Sequence, residues 1–169
     1  MSLPTQIDPR KLALQGITLE GEFFAKHLPR LSASVEAVNS SLSATLEFTR
    51  DQSRQPLVKG VAKISVDVIC QRCLDPMSIE IKASIALQVI WSEDRIANVS
   101  PDYEPWIVVD KIADLAVVLE DELLLALPIV NYHNPGECTG NAVVSKATTN
   151  DDEEAVADSP FSVLKQLKH

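Results

Sequence analysis

Two long stretches of alternating apolar and polar side chains, residues 62–70 and 79–91, most constrain how this chain can fold. In each stretch one parity is apolar and the other is mostly polar or charged. This period of two predicts β-strands that bury one face and expose the other, as in an antiparallel sheet. The stretches meet near Cys70-Gln71-Arg72-Cys73, so this segment is predicted to form the tip of a β-hairpin.

Shorter alternating runs predict the rest of the sheet. Residues 31–37 and 42–48 each predict a strand, with a turn at Asn39-Ser40-Ser41, and residues 105–109 predict a fifth strand. The predicted fold class is therefore α+β, with an antiparallel sheet of about five strands. The pattern does not decide whether the sheet is open or closed into a barrel-like form.

A short N-terminal helix is predicted in residues 8–16. Asp8 can accept hydrogen bonds from free backbone N–H groups, and Pro9 suits the first turn. Gly16 permits the left-handed conformation that ends many helices.

A long apolar helix is predicted from about residue 112 to residue 127, with Asp110 as its N-cap and Pro128 after its end. Within it, Glu120-Asp121-Glu122 is typical of a solvated face. If the apolar flank at Val117, Val118 and Leu124 is also buried, some of these carboxylates would need partners.

The C-terminal segment differs from the rest in composition. Residues 1–138 are predicted to form a single α+β domain, and the small, polar and acidic residues 139–158 an acidic flexible linker. Residues 159–169 predict a short helix with Phe161 and Leu164 on one side. This helix is either a docking peptide for a partner or the closing element of its own domain.

The charge distribution limits the classes of partner. The net charge is −9: residues 1–85 contain ten Lys and Arg against nine Asp and Glu, whereas residues 86–169 contain five against fifteen. Non-specific binding to nucleic acid depends on cationic side chains. A protein of this net negative charge is therefore not expected to bind RNA through its overall electrostatic field. The acidic half predicts a basic protein partner, or it serves only to keep the chain in solution.

The sequence predicts a cytoplasmic protein that is not inserted in a membrane. It has no run of eighteen apolar residues, and residues 1–6 lack the basic and apolar regions of an export signal. In a reducing cytoplasm the three cysteines are expected to be free thiols or metal ligands rather than a structural disulfide.

The cysteines, together with one histidine, predict a zinc site. Cys70 and Cys73 would supply two soft ligands, and Cys138 and His133, after the long helix, would complete a set of four. A C-x-x-C pair is also found in redox turns, but those place the thiol at a helix N-terminus. Here the pair follows a predicted strand and precedes the turn Leu74-Asp75-Pro76, which argues against that role.

The sequence does not indicate an enzyme. With five glycines it has no Gly-rich phosphate loop, and neither G-x-S-x-G nor H-E-x-x-H occurs. No catalytic residue, no small-molecule substrate and no cofactor besides the candidate zinc is therefore predicted.

With these motifs placed, the chain resembles the YceD family, the large ribosomal RNA subunit accumulation proteins of bacteria. The likeness covers the chain nearly end to end in order and spacing. It rests on four stretches: residues 69–77 (ICQRCLDPM), 103–105 (YEP), 120–128 (EDELLLALP) and 159–164 (SPFSVL).

The resemblance implies a role in the synthesis, processing or stability of 23S rRNA, through contacts with a ribosomal protein, rRNA or a pre-large-subunit particle. A direct contact to RNA or to a partner would involve Arg72 together with Arg50, Arg54 and Lys59, its neighbours in sequence.

One departure from the family bears on the metal site. Many relatives have a further cysteine cluster after the Leu-Pro motif, whereas this chain keeps only Cys138 with His133. The alternative function is a small zinc- or thiol-dependent regulatory binding module, switched at Cys70 and Cys73.

Overall fold

The computed structural model describes residues 2–134 and 136–139 of the chain. The elements in this part are β1 (Gln6–Ile7), α1 (Pro9–Gln15), β2 (Thr18–Phe23), a 3-10 turn (Ala25–His27), α2 (Pro29–Ser34), β3 (Ala37–Val38), β4 (Leu42–Arg50), β5 (Pro56–Ile69), β6 (Pro76–Ile90), a second 3-10 turn (Glu93–Asn98), β7 (Glu104–Ile107), β8 (Ala113–Asp114) and α3 (Leu115–Ala126). The predicted α+β class is confirmed.

The main sheet has the strand order β2-β4-β5-β6-β7, and β3 pairs with a further part of β5. Its neighbours are antiparallel except for β7, which runs parallel to β6 because residues 91–103 carry the chain back along the sheet before β7 begins. The prediction of a wholly antiparallel sheet is therefore wrong in this strand. The barrel-like alternative is also wrong, because β2 and β7 lie at opposite edges and do not pair.

The strand predicted for residues 31–37 is wrong. This segment forms the last turns of α2 and then the two-residue strand β3, which pairs with β5 rather than with β4. Pro29 starts the helix, where its missing N–H costs nothing. Ser32 and Ser34 donate their hydroxyls to carbonyls one turn back, at 2.8 Å each. A run of only four alternating apolar residues fits a helix as well as a strand, so the pattern could not distinguish the two.

The hairpin of β5 and β6 is the longest pair of strands, and its register confirms the predicted alternation. Pairs such as Ala62 with Ala83 and Ile64 with Ile81 share the buried face. Gly60 lies where β4 comes closest: a Cβ there would stand 2.1 Å from the carbonyl oxygen of Thr45. Only glycine allows this approach of the two strands.

The three helices cover one face of the sheet. Helix α1 lies against β4 and β5, α3 lies against β6, and α2 lies against α3. The largest apolar side chains buried between sheet and helices are Phe23, Leu28, Leu31, Leu42, Leu46, Phe48, Ile64, Ile81, Leu115, Leu119 and Leu123. Burial of this face supplies most of the drive to fold.

Helix α1 forms as predicted, with Asp8 accepting from Lys11 N–H and Gly16 left-handed at φ 64°. Helix α3 begins later than predicted. Its N-cap is Asp114, which accepts from the N–H groups of Ala116 and Val117, and not Asp110. The reason is tertiary: residues 113–114 pair with β1, so the helix starts only where that pairing ends.

The acidic linker predicted for residues 139–158, apart from Thr139, and the helix predicted for residues 159–169 lie outside the described residues. Both stay predictions. Within the described part, every helix is too short or too polar to cross a bilayer.

Candidate metal and partner site at the hairpin tip

The tip joining β5 to β6 is a tight six-residue turn, residues 70–75, as the sequence predicts. The N–H of Cys70 donates to the carbonyl of Asp75 at 3.0 Å, and the N–H of Leu74 donates back to the carbonyl of Cys70 at 2.9 Å. Leu74 adopts the left-handed conformation at φ 63°, which is unusual for a side chain with Cβ. These bonds hold Cys70 and Cys73 on the same turn.

The segment that follows α3 crosses this tip. Gln71 donates its backbone N–H to the carbonyl of Asn131 at 2.9 Å and its side-chain amide to the carbonyl of Ile129 at 3.2 Å. Further along, the hydroxyl of Thr139 donates to the Asp75 carboxylate at 3.1 Å. These contacts bring the segment after α3, which carries His133 and Cys138, against the tip that carries Cys70 and Cys73.

Four donor atoms meet between the tip and this segment. The Sγ atoms of Cys70, Cys73 and Cys138 and a ring nitrogen of His133 all lie within 4.8 Å of one another. Cys70 Sγ is 3.9 Å from Cys138 Sγ, and Cys73 Sγ is 3.2 Å from His133 Nδ1. We call these four residues the Cys/His cluster. All three thiols are free.

The histidine of the cluster is oriented by the backbone of β6. His133 Nε2 lies 3.3 Å from the carbonyl oxygen of Pro76. A carbonyl can only accept, so Nε2 is the protonated nitrogen, and the lone pair of Nδ1 faces the thiol of Cys73.

The two thiols of the tip titrate differently. Burial disfavours the thiolate of Cys70, but backbone N–H groups of Cys73, His133 and Arg72 hydrogen-bond to it, and together they lower the pKa of Cys70 to about 5. At Cys73 the N–H of Asp75 favours the thiolate, yet burial and the thiols of Cys70 and Cys138 outweigh it and raise the pKa of Cys73. The thiolate is therefore favoured at Cys70 and disfavoured at Cys73.

The cluster could hold a metal ion, and its donors are of the soft type that Zn²⁺ prefers. It does not have the arrangement of a thioredoxin-like site, because Cys70 follows a strand and starts a turn rather than a helix.

The four predicted contact residues do not form one patch. Arg72 lies at the tip, with its guanidinium 4.9 Å from the ring of Tyr132. Arg50 and Arg54 lie at the other end of β5, a strand of 14 residues that spans roughly 40 Å when straight. Lys59, near that second end, lies over the ring of Tyr103 at 5.0 Å.

The prediction of a solvated face is wrong at Glu120. The conditional prediction of a partnered carboxylate holds there, because Val118 is buried although Val117 is exposed. The carboxylate of Glu120 is almost fully buried and binds the start of α2, as described in the Discussion. The available signal was its position beside Leu119 and Leu123 on the apolar side of α3. Tyr132 and Ile129 were also missed, because no periodicity marks residues that lie in an irregular segment.

Comparison with known proteins gives the family. Residues 58–168 match the family model described as large ribosomal RNA subunit accumulation protein YceD. A protein of that name from Haemophilus influenzae is 32% identical over 170 residues, covering 99% of this chain and 97% of the relative. No solved structure matches the chain significantly. On this evidence the chain belongs to the YceD family of large ribosomal RNA subunit accumulation proteins.

Proposed function

We propose that this protein supports the accumulation of large-subunit rRNA in the cytoplasm as a non-enzymatic binding factor, and that it acts by contacting a ribosomal protein. Membership of the family supports the link to large-subunit rRNA. The family description names accumulation and does not favour the alternative of a zinc- or thiol-switched regulatory module.

The observation that favours a binding role is the surface at the hairpin tip, which we define as Arg72, Leu74, Ile129 and Tyr132. Leu74 is 72% exposed, Ile129 is 93% exposed and Tyr132 is 49% exposed. Leu74 lies on the turn, and Ile129 and Tyr132 lie on the segment that Gln71 binds, so exposed apolar side chains gather at the tip. Such a grouping on a surface is typical of interaction sites. Arginine and tyrosine are also the residues most enriched at the energetic centre of protein interfaces.

A protein partner fits the charges better than RNA does. The basic residues are dispersed, since Arg50 and Arg54 lie at the far end of β5 from Arg72. The pKa of Lys59 is raised by its hydrogen bond to Tyr103 and by the nearby charge of Asp102, so this lysine already has anionic neighbours. A chain of net charge −9 attracts a basic protein, and most ribosomal proteins are basic.

Complementation of cells that lack this protein tests the function. The ratio of 23S to 16S rRNA should fall in such cells and recover with a plasmid copy of the full chain. An unchanged ratio without the protein would contradict the proposed function altogether.

Variants of the tip surface then test the proposed contact. Ile129→Asp and Leu74→Asn remove apolar surface, and asparagine tolerates the left-handed conformation of position 74. We expect both to fail in restoring the ratio. Val109→Asp is the matched control, because Val109 is 76% exposed but lies between β7 and β8, away from the tip. Equal behaviour of the control and the tip variants would refute the tip as the contact surface.

A photo-crosslinking residue at position 72 separates the two kinds of partner. Crosslinks to a large-subunit ribosomal protein would support the proposal. Crosslinks to rRNA alone, lost when Leu74 is replaced by asparagine, would show direct RNA contact and overturn the protein version.

A further inference from the structure

We infer that the Cys/His cluster binds one Zn²⁺ through three thiolates and one imidazole, as a closed structural site. The chain has three cysteines, and all three lie in the cluster although Cys70 and Cys138 are 68 positions apart. Thiols brought together from distant parts of a chain are suited to a shared metal or to a disulfide, and no disulfide joins these three.

The spacing of the donor atoms matches tetrahedral zinc. Two thiolates that each lie about 2.3 Å from Zn²⁺ are about 3.8 Å apart, and a thiolate and an imidazole nitrogen are about 3.6 Å apart. The observed separations are 3.9 Å between Cys70 and Cys138 Sγ and 3.2 Å between Cys73 Sγ and His133 Nδ1. The separations among the four atoms are at most 4.8 Å, so a closure of up to about 1 Å would bring them all to these distances.

The groups around the donors are arranged as they are around bound zinc. The Pro76 carbonyl accepts from His133 Nε2, which leaves Nδ1 free to coordinate, and metal-binding histidines almost always have such a partner. The backbone bonds from Cys70 N–H to the Asp75 carbonyl and from Leu74 N–H to the Cys70 carbonyl fix the turn that carries both tip cysteines. The donors are therefore already oriented before any metal binds.

The geometry also decides what the metal does. Four protein ligands fill the tetrahedral shell and leave no position for a reactive water, unlike a catalytic zinc with three. The ion would instead fasten the segment after α3 to the hairpin, because Cys70 and Cys73 come from one and His133 and Cys138 from the other. This inference depends on the cluster alone and not on the proposed function.

Metal analysis of the full chain, expressed with added Zn²⁺ and purified without chelator, tests the site. We expect about one zinc per chain in the wild type, and a loss of most of it in Cys73→Ser and His133→Gln. His27→Gln is the matched control, since His27 lies outside the cluster, and it should keep the zinc. Zinc below roughly one-tenth per chain in the wild type, or equal zinc in all variants, would overturn the inference.

A second measurement uses the wild type alone, so it does not depend on variants that fold. Co²⁺ added to the metal-free chain should give the intense visible absorption of a tetrahedral site and the near-ultraviolet charge-transfer band of bound thiolates, both bleached by Zn²⁺. Weak octahedral absorption, or oxidation of two thiols to a disulfide under the same conditions, would refute the site. A chain that binds zinc and still fails to restore 23S rRNA would refute the proposed function and leave the site intact.

Discussion

Glu120 on α3 binds the start of helix α2 in three hydrogen bonds, two from Arg30 and one from Leu31. One carboxylate oxygen accepts from the backbone N–H groups of Arg30 at 2.7 Å and of Leu31 at 3.0 Å. The other accepts from Arg30 Nε at 2.9 Å. Because α2 has no capping side chain of its own, the carboxylate of Glu120 satisfies its free N-terminal N–H groups across the domain.

Glu120→Ala is expected to lower the free energy of unfolding by about 2–4 kcal/mol, because it leaves buried N–H groups without an acceptor. Urea unfolding followed by circular dichroism measures the change. Asp121→Ala is the control: this residue also contacts Arg30, but both side chains are 49% exposed, and its loss should cost under about 1 kcal/mol. Similar losses in the two variants would refute the capping role of Glu120.

Gly60→Ala should destabilise the sheet by more than about 2 kcal/mol, because the new methyl group would meet the carbonyl oxygen of Thr45. Thermal unfolding gives the measurement. Gly16→Ala offers a comparison, since nothing lies within 4 Å of that position and only its left-handed backbone opposes alanine, at about 1 kcal/mol. If Gly16→Ala proved the more damaging, the close strand approach at Gly60 would be in error.

The start of α3 can be tested with two aspartates. Asp114→Ala removes the side chain that accepts from Ala116 and Val117, and we expect a cost of about 1 kcal/mol. Asp110→Ala should change stability by less than about 0.5 kcal/mol, because Asp110 is an exposed loop residue. The reverse order, measured by urea unfolding, would place the helix start four residues earlier.

Glu122 predicts a pH dependence of stability. Partial burial raises the pKa of Glu122, and the carboxylates of Glu104 and Asp121 raise it further. The folded protein therefore binds this proton more tightly than the unfolded chain does. Above the folded-state pKa, the ionised Glu122 lowers the free energy of unfolding by its whole contribution. This destabilisation disappears as the pH falls below the pKa of Glu in the unfolded chain, about 4.3.

Glu122→Gln should accordingly increase the free energy of unfolding at about pH 7.5 and have no effect at about pH 3.5. Urea titrations across this range check the trend. The exposed Glu80 is the control, since Glu80→Gln changes the net charge equally. A gain for Glu122→Gln that stays constant with pH would exclude titration of this carboxylate as its cause.

The sequence was most informative where the pattern was long and local. Strands β5 and β6 and helix α1 follow from alternation and from Asp8, Pro9 and Gly16, which act within a few residues of themselves. The error at residues 31–37 arose in a run too short to distinguish a period of two from a helix. The parallel pairing of β7 depends on a partner strand in space, which no local pattern records.

The site was predicted in its residue types but not in its surroundings. The C-x-x-C spacing marks Cys70 and Cys73 as candidate ligands. Cys138 is the third cysteine of the chain, and His133 lies five residues before it. Glu120 could not be assigned in the same way, because the N–H groups that it satisfies lie 90 residues away in sequence. Arg72 and Arg50 were predicted to form one contact surface because they are near each other in sequence. The intervening strand β5 instead places them at opposite ends of the sheet.

The pairing of β1 with β8 has a consequence for the order of synthesis. Gln6 and Ile7 find their strand partners only at residues 113–114, and α2 finds its acceptor only at Glu120. A nascent chain therefore cannot complete its N-terminal part until about 120 residues have left the ribosome. Until α3 emerges, the first strand and the second helix lack the partners that hold them in the folded protein.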